Sequence, residues 1–151
     1  MILTRTVEPR DLDTICAHRY RMFAENGVAI ESLDAMREAF AAWLAPRLED
    51  GRYFGFVLEH EGSVIAGVGL ILLDWPPHFL HPRNAERGYI LNVFVEPEYR
   101  GQGLAKKLMA LADEEFRRRG VAFEVLHASG MGRPVYEGLG WIAMPEMGKA
   151  L

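Results

Sequence analysis

The chain has 151 residues, half of them hydrophobic, with 17 Lys and Arg set against 21 Asp and Glu. That length suits one globular domain with a single core, and residues 1–151 are read as one domain. A net charge of −4 leaves no basic excess for a broad nucleic-acid surface, and a lone Cys16 excludes an internal disulfide and a multi-cysteine metal site.

Residues 2–7 alternate apolar and polar, which predicts an opening strand that ends at Pro9. Arg5, Glu8, Arg10 and Asp11 interrupt any signal-peptide core, so the expectation is a cytoplasmic protein. Asp11 or Asp13 can cap a helix that stops at Asn26-Gly27. Ser32 reads as the cap of a second helix carrying Leu33, Met36, Phe40, Trp43 and Leu44, with Pro46 disrupting it. Residues 53–58 and 64–73 read as a hairpin turning at Glu61-Gly62. The second of these is the longest apolar run and is too short to span a bilayer, so no membrane partner is expected.

Residues 74–87 hold three prolines and read as a loop. Residues 89–95 form a nearly continuous apolar strand, as expected when both faces are buried. Leu104, Leu108, Leu111, Ala112 and Phe116 make one stripe of a helix over residues 103–119, with Gly120 as terminator. Residues 123–128 are a strand, 134–138 a short helix, and 141–151 a closing strand or hairpin. A strand–helix–strand crossover joins parallel strands, whereas the hairpin is antiparallel. The expected fold is therefore α/β (α+β), a mixed sheet covered by helices.

The segment Tyr99-Arg100-Gly101-Gln102-Gly103-Leu104-Ala105-Lys106 lies between the buried strand and the clearest helix. The first amides of a helix lack internal partners and carry partial positive charge. Two glycines let the backbone approach a ligand and adopt positive φ. Such a loop suits a pyrophosphate. A Walker loop fails, because Lys106 stands where its second glycine belongs. A dinucleotide fingerprint fails at the same residue, in place of its third glycine. The pattern Arg/Gln-x-x-Gly-x-Gly/Ala is met in full by Arg100, Gly103 and Ala105.

That loop, preceded by Val95-Glu96-Pro97, resembles the acyl-CoA motif of the GNAT superfamily of N-acetyltransferases. Tyr136-Glu137-Gly138-Leu139-Gly140-Trp141 resembles the family's C-terminal Tyr-Glu-x-x-Gly-Phe segment, with Trp141 for Phe. The resemblance covers residues 89–141 and implies a largely antiparallel sheet with helices on both faces, whose two parallel strands splay into an acyl-CoA cleft. It implies acetyl-CoA as cosubstrate, held by Arg100 and the amides of Gly101, Gln102, Gly103, Leu104, Ala105 and Lys106. Val93, Phe94 and Val95 would pair with the pantetheine arm, one amide, that of Phe94 for example, serving as oxyanion donor. Tyr136 would be the general acid; without the resemblance it reads as an amphipathic tyrosine at a helix edge. The family's Asn after the second parallel strand is absent, and Ser129 stands in its region.

The resemblance also implies a primary amine acceptor, on a small molecule or a peptide, and a possible homodimer. A CoA-binding sensor of the same fold is the alternative. Glu124 and His127 are both candidates for the base, as is a water chain. Odd spacing puts the two side chains on opposite faces of a regular strand. Asn92 shares a face with Ile90 and Phe94 and either meets substrate or satisfies a bulge. His78 and His81 lack a third ligand, so no metal is expected. Arg117, Arg118 and Arg119 either form an anion patch or complement a helix C-terminus, and Glu25, Asn26 and Glu31 either attract a cationic amine or form a solvated loop.

Overall fold

A computed structural model describes residues 1–151. Strand β1 (Ile2–Thr6) leads through a one-turn 3-10 helix into α1 (Leu12–Glu25). Asp11 makes that entry: its carboxylate accepts the Glu8 backbone N–H at 2.8 Å and pairs with Arg5 at 2.7 Å. Helix α2 (Ile30–Asp50) begins after Ala29, three residues before the expected Ser32 cap, and runs through Pro46 unbroken. Leu44 and Leu48 flank the proline and are both buried, so tertiary packing outweighs the lost backbone bond.

Strands β2 (Phe54–His60) and β3 (Ser63–Asp74) form the expected hairpin, with Glu61 and Gly62 both at positive φ as a primed turn requires. β4 (Glu86–Val95) starts three residues before the expected strand and shortens the predicted loop. Helix α3 (Leu104–Arg118), strand β5 (Glu124–Leu126) and helix α4 (Arg133–Gly138) complete the elements. The sheet order is β1-β2-β3-β4-β5, antiparallel except for the parallel β4–β5 pair.

No closing strand or hairpin forms over residues 141–151. Pro145 removes a ladder donor, and the three-residue β5 offers little edge to pair with. Trp141 instead packs back on Tyr136, ring centroids 6.4 Å apart.

Helices lie on both faces of the sheet. On one, α3 packs Leu104, Leu108, Ala112 and Phe116 against Leu58, Val68, Leu70 and Ile90. On the other, α1 and α2 pack Ile15, Phe40 and Leu44 against Tyr53. A bulge in β4 decides which side chains look each way. Gly67 pairs with Phe94 but Gly69 with Leu91, so two residues of β4 oppose Val68. Asn92, at φ 56°, is the residue that absorbs the bulge. Regular alternation is thereby broken: Ile90 joins the α3 core, whereas Phe94 stacks on His18 of α1 at 4.6 Å. Asn92 donates to the Tyr53 hydroxyl at 3.0 Å and so belongs to the α1–α2 face.

Candidate active site

β4 and β5 pair only from Gly88 to Ile90 against Glu124 to Leu126. Beyond Ile90 they separate, and a cleft of about 470 Å³ opens between them. Its walls include Ile90, Leu126, Val93, Phe94, Val95, Ser129 and Tyr136, and its outer end is the loop from Tyr99 to Lys106. Of the expected cosubstrate ligands only Gln102 is not on the wall; it is exposed.

The loop has the conformation an anion needs. Gly101 and Gly103 take φ of 75° and 79°, a region that L side chains avoid. A Cβ at either would meet nothing within 4 Å, so conformation and not crowding demands glycine there. Gly103 caps α3 with no side-chain hydrogen bond, which leaves the first amides of a 15-residue helix without a side-chain partner.

Arg100 is held away from the loop amides. Its Nε donates to the Val95 carbonyl at 2.8 Å, and its Nη2 pairs with Glu25 at 2.9 Å. Glu25 lies at the end of α1, so this pair ties α1 to the loop. The reading of Glu25 as an attractor of amines gives way to that partnership.

Strand register identifies the amides that face the cleft. The Glu96 N–H donates to the Ile65 carbonyl at 2.8 Å on β3. Two residues back, the same in-plane side is presented by Phe94, opposite Gly67. The Phe94 amide therefore turns to β3, contrary to the suggestion that it serves as oxyanion donor. Val93 and Val95 turn theirs toward the gap.

Tyr136 stands on α4 at the wall of the cleft, half-buried, and burial raises its phenol above the ordinary range. Gly132 makes room for it: a Cβ there would lie 2.9 Å from the Tyr136 ring. The Ser129 hydroxyl accepts the Gly132 N–H at 3.0 Å and so fixes the turn that carries the tyrosine.

The two candidate bases part as their odd spacing predicts. Glu124 lies outside this cleft, in a neighbouring cavity of about 430 Å³ beside Asp113 of α3. Burial, then the adjoining Asp113 carboxyl, push Glu124 up to about 8. Glu124 Oε2 and Asp113 Oδ1 are both shielded without a partner. Burial and the Asp113 carboxyl thus favour a proton on this pair and make Glu124 a poor proton acceptor. His127, just past β5, bonds through Nδ1 to the Tyr89 hydroxyl and through Nε2 to Glu146 of the tail. A carboxylate only accepts, so Nε2 carries the hydrogen and Nδ1 receives the tyrosine proton.

Tyr89, Arg19 and Glu146 are residues that the sequence reading did not single out. Tyr89 sits in an apolar run, Arg19 on an ordinary helix and Glu146 in a tail expected to be a strand. Only the partner each finds across the fold gives it meaning. His78 and His81 approach each other, but His81 accepts from Arg87 Nε at 2.8 Å and its Nδ1 meets the Asn84 carbonyl at 3.0 Å. Arg118 and Arg119 both pair with Glu115, as structural arginines at a helix end.

A parallel strand pair that splays over a glycine loop at a helix N-terminus defines an acyl-CoA-type transferase architecture. The family model described as acetyltransferase (GNAT) family matches residues 16–141, and the chain belongs to that family. The chain is similar to a GCN5-related N-acetyltransferase from Ralstonia eutropha JMP134, 46% identical over 100% of this chain and 99% of that one, with a TM-score of 0.99. A "predicted acetyltransferase" from Clostridium acetobutylicum, solved with acetyl-CoA, shares the fold at TM-score 0.89 and 24% identity over 100% of this chain and 96% of that one. Among curated proteins, N-alpha-acetyltransferase 30 of Saccharomyces cerevisiae is 36% identical over 84 residues, 53% of this chain and 46% of that protein, so the match spans about half of each. No helix is long and apolar enough to cross a membrane.

Proposed function

We propose that the protein transfers an acetyl group from acetyl-CoA to a primary amine by direct attack. The observation that carries this reading is the cleft itself. Residues of β4, a glycine-opened helix N-terminus and a half-buried tyrosine line it together. In that arrangement the amides from Gly101 to Lys106 hold the pyrophosphate, and Val93 and Val95 pair with the pantetheine arm. The Val93 N–H, nearer the inner end, donates to the carbonyl oxygen as negative charge builds on it.

The bond changes need two proton movements. The new C–N bond forms as the C–S bond breaks, and Tyr136 gives its proton to the departing sulfur. Its raised phenol is protonated at neutral pH and so is ready to donate. The acceptor reaches the thioester from the α1–α2 face, where Tyr89 and His127 flank Ile90 and Leu126 at the inner end of the gap. There the Tyr89 oxygen takes the ammonium proton while passing its own to His127 Nδ1. Glu146 then holds the resulting imidazolium. This chain, rather than Glu124, serves as base.

Melting with acetyl-CoA, CoA, ATP and NAD in parallel tests the binding half. Ligand at about a hundred times its dissociation constant should add roughly 2.7 kcal/mol, a shift of several degrees at this size. Shifts with acetyl-CoA and CoA alone, followed by amine-dependent thiol release, are expected. Binding without release on any amine would indicate a CoA-binding sensor. A shift only with ATP or NAD would reject the loop assignment.

A further inference from the structure

Two arginines at the α1–β4 seam are neutralised: Arg21 pairs with Glu96 and Arg100 with Glu25. Arg19, also on α1, has no carboxylate. Its Nη1 donates to Asn92 Oδ1 at 2.8 Å, and its Cζ lies 4.6 Å from the Phe40 ring and 4.9 Å from the Phe23 ring. Its Nε is shielded and unpartnered. Its Nη2 also receives no acceptor from the protein and, unlike Nε, is not shielded, so Nη2 is the nitrogen open to an outside carboxylate.

The surroundings hold this guanidinium still. Asn92 is locked by the bulge and by its bond to the buried Tyr53 hydroxyl, so its carbonyl oxygen points at Arg19 and nowhere else. Two aromatic faces fix the plane. Burial lowers the Arg19 pKa, the mark of a cation that lacks compensation. A fixed, partly desolvated charge without a counter-ion is unfavourable by itself and favours an anion brought from outside.

Its position says which molecule brings the anion. Asn92 lies two residues from Phe94, beside the point where β4 leaves β5. Arg19 is bonded to Asn92, whereas three residues earlier on β4 Tyr89 is bonded to His127, which in turn meets Glu146. The acceptor face therefore has a positive end at Arg19 and a negative end at His127–Glu146. A bare diamine or aminosugar would meet repulsion at the positive end. A zwitterion fits both ends, and the orientation puts its amine at the gap.

Resting on the acetyltransfer reading, we infer that the acceptor is an amine bearing a carboxylate close to its amino group, an amino acid in the simplest case, with Arg19 holding the carboxylate. The test screens acceptors in matched pairs, each an amino acid and its decarboxylated amine: lysine with cadaverine, tyrosine with tyramine, phenylalanine with phenethylamine. Thiol release from acetyl-CoA is followed with wild type, Arg19→Gln and Arg19→Lys. The carboxylated member should be preferred at least tenfold in kcat/KM in a productive pair. Arg19→Gln should bring that ratio toward unity through KM, and Arg19→Lys should restore part of it. Melting curves and acetyl-CoA affinity confirm that each variant is folded. Preference for the decarboxylated amines, or an equal loss on both members in Arg19→Gln, overturns the inference and leaves acetyl transfer standing. Absence of release with every amine overturns both.

Discussion

The cleft and the α1–α2 face beside it are made of different materials. The cleft, the proposed cosubstrate side, is mostly backbone: strand amides of β4, two left-handed glycines and the opening turn of α3. The α1–α2 face, the proposed acceptor side, is mostly side chain: Arg19 on Asn92, and Tyr89 on His127 on Glu146. Backbone recognition tolerates almost any side chain but demands particular φ values. Side-chain recognition tolerates many backbones but demands particular partners. A ligand common to a family is served by the first, and an acceptor that differs among relatives by the second.

The largest effect should come where the two faces meet. Tyr136→Phe removes the proposed proton donor and leaves the amides untouched, so kcat should fall by roughly 100-fold or more while acetyl-CoA affinity stays within about twofold. Steady-state kinetics with calorimetric binding separates the two quantities. A kcat near that of wild type would remove Tyr136 from the chemistry.

Next comes a break confined to the acceptor side. His127→Gln should slow a strongly basic amine by about 10- to 100-fold at pH 7, because an ammonium must lose its proton before it attacks. An amine weak enough to be neutral at that pH should lose far less. A merely structural histidine would give equal losses for both amines, so the ratio decides. The matching break on the backbone side is Gly103→Ala. A left-handed alanine is strained by about 1–2 kcal/mol, which should weaken acetyl-CoA binding roughly tenfold and leave amine selectivity alone.

This contrast also explains what could be read in the sequence. The loop was legible because glycine and helix-start chemistry are local, and so were the hairpin turn and the α3 stripe. The place of Tyr136 on the cleft wall was legible only through the segment that surrounds it. The bulge at Asn92 was one of two readings of a polar residue in an apolar strand; its effect was not legible, since it arises from register against Val68, and it moved Phe94 to the face opposite Ile90 and its amide toward β3. Arg19 was invisible for a similar reason: what marks it is the carboxylate it lacks. The tail failed as a strand because pairing depends on the length of its neighbour, and β5 is three residues long.

The smallest effect concerns a residue outside both faces. Burial and the neighbouring Asp113 push the Glu124 carboxyl up to about 8 from an ordinary 4.5. A raised carboxyl keeps its proton in the folded state while the unfolded chain loses it, so stability falls as pH rises from about 4.5 and levels off above about 8. Full linkage over that interval would be large, but the group is not fully enclosed and solvent screens it, so about 1–2 kcal/mol is expected. Glu124→Gln should remove this penalty: the variant should melt higher than wild type at pH 9 and lose its advantage below pH 4.5. Melting curves across that range give the sign directly. If Glu124 were instead an ionised base poised for catalysis, the variant would gain no stability at high pH and would lose turnover at pH 7. The same protein thus reports, by stability in one case and by rate in the other, whether this carboxyl belongs to the fold or to the chemistry.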